Sequence, residues 1–370
     1  MKKILAVAIA TAFAAPAFAA TSNVDVYGSI NLSYENVDNG VADWNRMVTN
    51  NNSFIGFKGS EDLGGGMKAV WQLETNIQPD GSQSNAADAG VFYGTRNSFL
   101  GLAGGFGTVV AGTHDTPYKM ATGSLDVFVG TLGDYNAIFG NAAGNASAVF
   151  DLRTGNTIAY LSPKFGGFDV KAAYVSGLEA AEPAGQNTAS AYSLSGTYAN
   201  GPLFVTAAYE KHNDVAGTTT AQACNVGATC LGSGTLSRDA IKLGAGYKFG
   251  DLKLGAIYEK IDGDTGTAVA HDTWGLNAAY GIGAITLKAS FATASDIENA
   301  AGVEVANTGA DMWALGVDYS LSKRTTVQLT YANMDNDSAG TWDLGQGQQV
   351  VNALAGAEVK GFGLGVKHTF

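Results

Sequence analysis

Sixteen stretches of this chain alternate apolar and polar side chains with a period of two, and the polarity of the two faces is inverted relative to a soluble fold. In residues 24–34, Val24, Val26, Gly28, Ile30, Leu32 and Tyr34 share one face, and Asp25, Ser29, Asn31 and Ser33 the other. This is a β-strand with one apolar side. Across the later stretches the apolar face carries aromatics near the strand ends, among them Tyr247, Trp274, Tyr280, Trp313 and Tyr319. The opposite face carries Lys171, Ser193, Thr206, Lys242, Asn277, Lys288 and Gln328, which are too polar for a packed interior. Aromatic girdles flank the lipid-facing band of membrane barrels. Lipid offers no hydrogen-bond partner to an open sheet edge, so such a sheet must close on itself. The pattern therefore predicts an all-β fold: a transmembrane antiparallel β-barrel of 16 strands, apolar outside and polar within.

The connections between the stretches support this count. Seven short turns, such as residues 61–66, 163–167, 199–202 and 321–324, alternate with eight longer polar loops. An even strand number puts both termini on one side, as in bacterial outer-membrane barrels. Fifty glycines against six prolines suit many strands and tight turns. At the N-terminus, Met1-Lys2-Lys3 precedes an apolar run from Ile4 to Phe13 and the small-residue pattern Ala17-Phe18-Ala19. This predicts a secretory signal peptide over residues 1–20. No linker divides residues 21–370, which are expected to form a single domain. Removing Lys2 and Lys3 takes the formal charge from −12 to about −14, which argues against a nucleic-acid partner. Cys224 and Cys230 are the two cysteines. In an exported protein they are expected to form a disulfide closing a small loop.

Residues 114–152 do not alternate. They place Asp115, Asp126 and Asp134 among Pro117, Tyr118, Phe128, Tyr135 and Phe139. A connection of this length without alternation is uncommon in a compact domain and is usually functional. It is expected to fold into the lumen and constrict it.

Six motifs then carry a resemblance. They are Ile55-Gly-Phe-Lys-Gly-Ser-Glu-Asp-Leu63, Lys68-Ala-Val-Trp-Gln-Leu-Glu74, Gly105-Phe-Gly-Thr-Val109, Gly133-Asp-Tyr-Asn136, Ser320-Leu-Ser-Lys-Arg-Thr325 and Gly365-Val-Lys-His-Thr-Phe370. In this order they resemble the Gram-negative general porins of the sixteen-stranded, trimeric type. The resemblance implies short periplasmic turns, long external loops and a third loop folded into the lumen. It implies a multi-pass protein of the bacterial outer membrane that passes ions and small hydrophilic solutes by passive diffusion, without a cofactor. Its expected partners are two further copies in a homotrimer, outer-membrane lipid and lipopolysaccharide, and the barrel-insertion machinery, for which Phe370 would be the assembly signal. Asp115, Asp126 and Asp134 match the acidic side of the constriction, and Arg153 and Lys58 are the candidates for its basic side. The chain departs from the family where relatives place arginines: Phe54 stands before Ile-Gly-Phe, and Gly112-Thr113 ends the Gly-Phe-Gly-Thr-Val strand. Since rings of carboxylates favour cations, the expectation is a mildly cation-selective channel.

Three rivals differ in what they need. A substrate-specific channel needs an aromatic track or a cluster of lumen arginines, and here the aromatics fall mainly on the lipid face. A barrel hydrolase needs a nucleophile with a base and an orienting partner. His114, His212, His271 and His368 belong to no such motif, so no catalytic residue and no enzyme activity are expected. A receptor or adhesin role for the external loops is compatible with a pore. Asp335, Asn336 and Asp337 are oxygen donors of the kind calcium prefers, but a solvated turn explains them, and no metal site is expected.

Overall fold

The computed structural model describes residues 23–40, 43–48, 52–79, 92–141, 150–177, 189–217, 222–223, 229–230, 234–263, 270–298, 303–344 and 353–370. The expected signal peptide, Cys224 and the side chain of Cys230 lie outside the described residues, and so does the disulfide.

Sixteen strands form one antiparallel ring. The first six are β1 (Asn23–Asp38), β2 (Phe54–Gly64), β3 (Met67–Ile77), β4 (Ser98–Gly104), β5 (Gly107–Asp115) and β6 (Arg153–Leu161). Then come β7 (Phe168–Ser176), β8 (Ser190–Asn200), β9 (Leu203–Gly217), β10 (Gly234–Phe249) and β11 (Leu252–Gly263). The last five are β12 (His271–Ile282), β13 (Ile285–Ala294), β14 (Ala310–Ser320), β15 (Thr325–Asn336) and β16 (Glu358–Thr369). Two short segments, Asp43–Val48 and Phe92–Thr95, lengthen the ladders beside β1 and β3. The ring closes where β16 pairs with β1, from Ser29↔Thr369 to Asp38↔Lys360. Reciprocal backbone bonds of 3.1 Å between Gly28 and Phe370 carry this seam to the last residue. A closed ring leaves no edge with unpaired backbone groups facing lipid.

Seven connections of two to six residues gather at one end of the barrel, and the eight long ones at the other. The turn from β2 to β3 needs Gly65 and Gly66, whose φ angles of +61° and +81° exclude most side chains. Several strands run further towards the long loops than the alternation predicts. β9 and β10, for example, extend to Gly217 and back to Gly234. Outside a bilayer, ladder bonds persist without an apolar face, so the pattern stops before the strand does.

The two faces follow the prediction. Ser29, Asn31, Ser33, Ser193, Thr206, Lys242, Asn277, Lys288 and Gln328 are buried inside the ring, while Leu276, Tyr280, Leu315, Leu329 and Leu364 are exposed outside it. Trp274 lies directly across the ladder from Tyr258, and Trp313 from Phe291, forming an aromatic row on the outer surface. An exposed apolar exterior around a polar interior identifies lipid as the outer solvent.

The connection from β5 to β6 turns inwards. Its boundaries differ slightly from the expected 114–152, because β5 continues through Asp115, which pairs across the ladder with Arg153. A bulge between Gly112 and His114 redirects the strand. Pro117 and the side chain of Thr116, which accepts from the Lys119 amide, start a short helix, α1 (Pro117–Thr122). Asp134 caps a single 3₁₀ turn at Tyr135–Ala137. Tyr118, Phe128, Ile138, Phe139 and Phe150 are buried against the inner wall, so the apolar core of this barrel sits within its lumen.

Candidate functional site

The loop is seated by apolar knobs in sockets where the wall has no side chains. Leu125 occupies the space in front of Gly244, Gly246 and Gly255, with its methyls 2.8 Å from where a Cβ would stand at Gly244 or Gly246. Phe128 fills the socket of Gly316, and Phe139 that of Gly275. These glycines on β10, β11, β12 and β14 leave room for the loop to approach the sheet backbone.

Polar tethers supplement the knobs. Lys242 of β10 is fully buried and pairs with Asp151 of the loop and Glu259 of β11. Glu259 also accepts from the Tyr118 hydroxyl at 2.8 Å and from the Gly140 amide at 2.6 Å. The Tyr118 amide donates to Ser193 of β8, and Asn31 of β1 donates to the carbonyl of Gly130. Phe150 stacks on His212 at 4.6 Å. His212 lies on the lumen face of β9 and pairs with Glu210.

These attachments draw the loop towards β8–β16 and leave open space on the other side. A cavity of about 470 Å3 separates the loop from a wall that includes Ser29, Phe54, Arg96, Arg153 and Lys367. Asp115, Asp126, Asp134 and Lys119 also line it. Four of the five residues expected at the constriction therefore share one cavity. The fifth, Lys58, lines a separate cavity with Asp25, Trp71 and Phe99, and its ammonium lies 4.8 Å from the Tyr27 ring centre. Its position midway along β2, four residues nearer the short turn than Phe54, accounts for the separation.

The carboxylates are less available than their sequence positions suggest. Asp115 is 3.0 Å from the guanidinium of Arg153, and Asn97 bonds to both. Asp126 and Asp134 are buried and shape the loop. Asp126 accepts from the amides of Phe128 and Tyr135, and Asp134 from those of Gly130 and Asn136. Burial pushes both carboxyls up, and the adjacent Asp134 pushes Asp126 well above the usual carboxylate range. Bonds from the Gly130 and Asn136 amides restrain the rise at Asp134. Both shifts favour the protonated carboxyl over the carboxylate.

Three cations of the cavity escaped the sequence analysis. Arg96 lies just before β4, 3.5 Å from Glu74, with its guanidinium 4.7 Å above the ring of Phe54. Lys119 donates to the carbonyl of Asp151 at 2.7 Å. Lys367 of β16 makes no ion pair among the described residues. The one signal for Arg96 was the aromatic at position 54, which marks the spot but not the neighbour that covers it.

Phe370 lies at the seam, its ring over Gly28. Asn336 does not offer a free oxygen, because its amide bonds to the backbone of Trp342 and Ala357.

The profile of a family described as Gram-negative porin matches residues 6–339. Outer membrane porin protein 32 of Delftia acidovorans is 29% identical over the full length of both chains. An anion-selective porin from Comamonas acidovorans has a similar structure, with a TM-score of 0.78 at 28% identity, covering 94% of this chain and 100% of that one. The trimer form of OmpT from Vibrio cholerae gives 0.68 at 19% identity over 94% of this chain and 99% of that one, a likeness of fold.

Proposed function

The chain belongs to the Gram-negative porin family and is a multi-pass channel protein of the bacterial outer membrane; from this premise we propose that it works by passive diffusion of ions and small hydrophilic solutes, without catalysis, cofactor or energy input. The observation that carries the proposal is the inward loop, held against β8–β16 and leaving a cavity of about 470 Å3 beside Arg96, Arg153 and Lys367. The described parts of this loop, residues 116–141 and 150–152, are then the constriction, and Asp115, Asp126, Asp134 and Arg153 line the cavity beside it.

The mild cation selectivity expected from the acid count gives way to a different proposal. Arg153 offsets Asp115, Arg96 offsets Glu74, and Lys119 and Lys367 share the cavity with Asp126 and Asp134, whose carboxyls burial pushes towards the protonated form. The remaining balance is close to neutral and tipped towards cationic groups, which favours a weak preference for anions. The anion selectivity of the Comamonas porin points the same way.

Assembly as a homotrimer, contact with lipopolysaccharide and recognition of Phe370 by the insertion machinery complete the proposal. A closed ring of identical subunits suits a flat apolar exterior, and the trimer form of the Vibrio protein supports it. Liposome swelling with sugars of increasing size tests the diffusion mechanism. Rates should fall smoothly with solute size and rise linearly with concentration. Saturation with competition by one solute would replace it with a substrate-specific channel.

A further inference from the structure

Below the loop, towards the short turns, a recess of about 240 Å3 opens between the loop and the inner faces of β9, β10 and β11. Leu125 and Val127 form its roof and Phe204 one wall. Gly246 and Gly255 leave a second wall as bare backbone. The lining is mainly apolar.

Its two charged residues are Lys248 and Lys253, directly opposite each other across the β10–β11 ladder. Neither makes an ion pair among the described residues. Like charges facing each other across a ladder are destabilising. A single anion between the two ammonium groups would relieve that repulsion, while an apolar body attached to it would fill the recess.

We propose that this recess binds compact amphipathic monocarboxylates, with an aromatic ring against Leu125, Val127 and Phe204 and the carboxylate between Lys248 and Lys253. The recess is somewhat smaller than the roughly 300–1,000 Å3 of drug-sized sites, so the ligand is a single-ring acid. The loop separates this site from the Arg96–Arg153 cavity, and it would hold a permeating acid on the periplasmic side of the constriction. The proposal uses the channel reading for access only; binding itself needs no conduction.

The test is a fluorine NMR titration of the folded full chain in lipid nanodiscs with 4-fluorophenylacetate. Saturable binding is expected, with none for 4-fluorobenzyl alcohol, which keeps the ring without the charge, or for trifluoroacetate, which keeps the charge without the ring. Replacing both lysines, Lys248→Gln with Lys253→Gln, should weaken binding about tenfold. Phe204→Ser should weaken it through the ring alone. No saturable binding, equal binding of acid and alcohol, or an unchanged affinity in the lysine variant would overturn the proposal. Binding in nanodiscs together with absent liposome swelling would instead overturn the channel reading and leave the recess intact.

Discussion

The guanidinium of Arg96 lies 4.7 Å above the ring of Phe54, so a wall position that lacks a basic residue still presents a cation from the adjoining segment. The ring also limits how far the arginine can move into the passage. Cation–π contacts of this kind contribute about 0.5–2 kcal/mol, enough to favour one side-chain position.

Arg96→Gln should move selectivity towards cations. A unit charge about 10 Å from a permeating ion in water changes its energy by about 0.4 kcal/mol, so the cation-to-anion permeability ratio should rise about two- to fourfold. Reversal potentials of the variant and the parent under one salt gradient measure this. An unchanged ratio would remove Arg96 from the field that ions experience.

Gly316 bears on the seating of the loop. A Cβ there would stand 2.6 Å from Phe128 and 3.1 Å from the Lys288 side chain. Gly316→Ala should therefore displace the loop, cost about 1–3 kcal/mol, and give larger or noisier single-channel conductance. A second substitution, Phe128→Leu, should restore quiet channels by vacating the socket.

Lys242 is the cation paired with two buried carboxylates, Asp151 and Glu259. Lys242→Met should destabilise the folded protein by about 3–5 kcal/mol, the usual cost of leaving a buried charge without its partner. Adding Glu259→Gln should recover part of the loss. Thermal unfolding of the parent, both single variants and the double variant gives the coupling directly.

The Asp126–Asp134 pair gives a pH dependence of known sign. Burial and the neighbouring carboxylate raise Asp126, so folding takes up a proton in the window between the usual aspartate range and the raised value. Stability from this site is complete below the usual aspartate range and is lost as pH rises through the raised value. Over the same window the loop gains a negative charge, and selectivity should drift towards cations. Asp126→Asn, which mimics the protonated form, should reduce both trends to the part Asp134 contributes, as read from thermal unfolding and reversal potential against pH.

The barrel was legible because lipid outside and water inside impose one rule on every strand, and residues such as Thr273, Trp274 and Asn277 obey it without exception. The inward loop was legible as the one long stretch that breaks the rule. Its seating was not, because a socket consists of absent atoms: Gly244, Gly255 and Gly316 read as weak strand residues until Leu125 and Phe128 are seen to fill them. The charge balance was not legible for a related reason. Counting Asp115, Asp126 and Asp134 as free carboxylates ignores Arg153 beside the first and the burial that raises the other two. Arg96 and Lys367, more than 250 positions apart in the chain, meet only because the ring closes between β1 and β16.

The most direct test of the account is the zero-current potential of the purified protein in a planar bilayer under a potassium chloride gradient at neutral pH. An open channel of large conductance is predicted, with a potential near zero and on the anion-selective side. A strongly cation-selective potential would contradict it, by showing that the carboxylates of the loop act as free charges and that their pairing does not govern the passage.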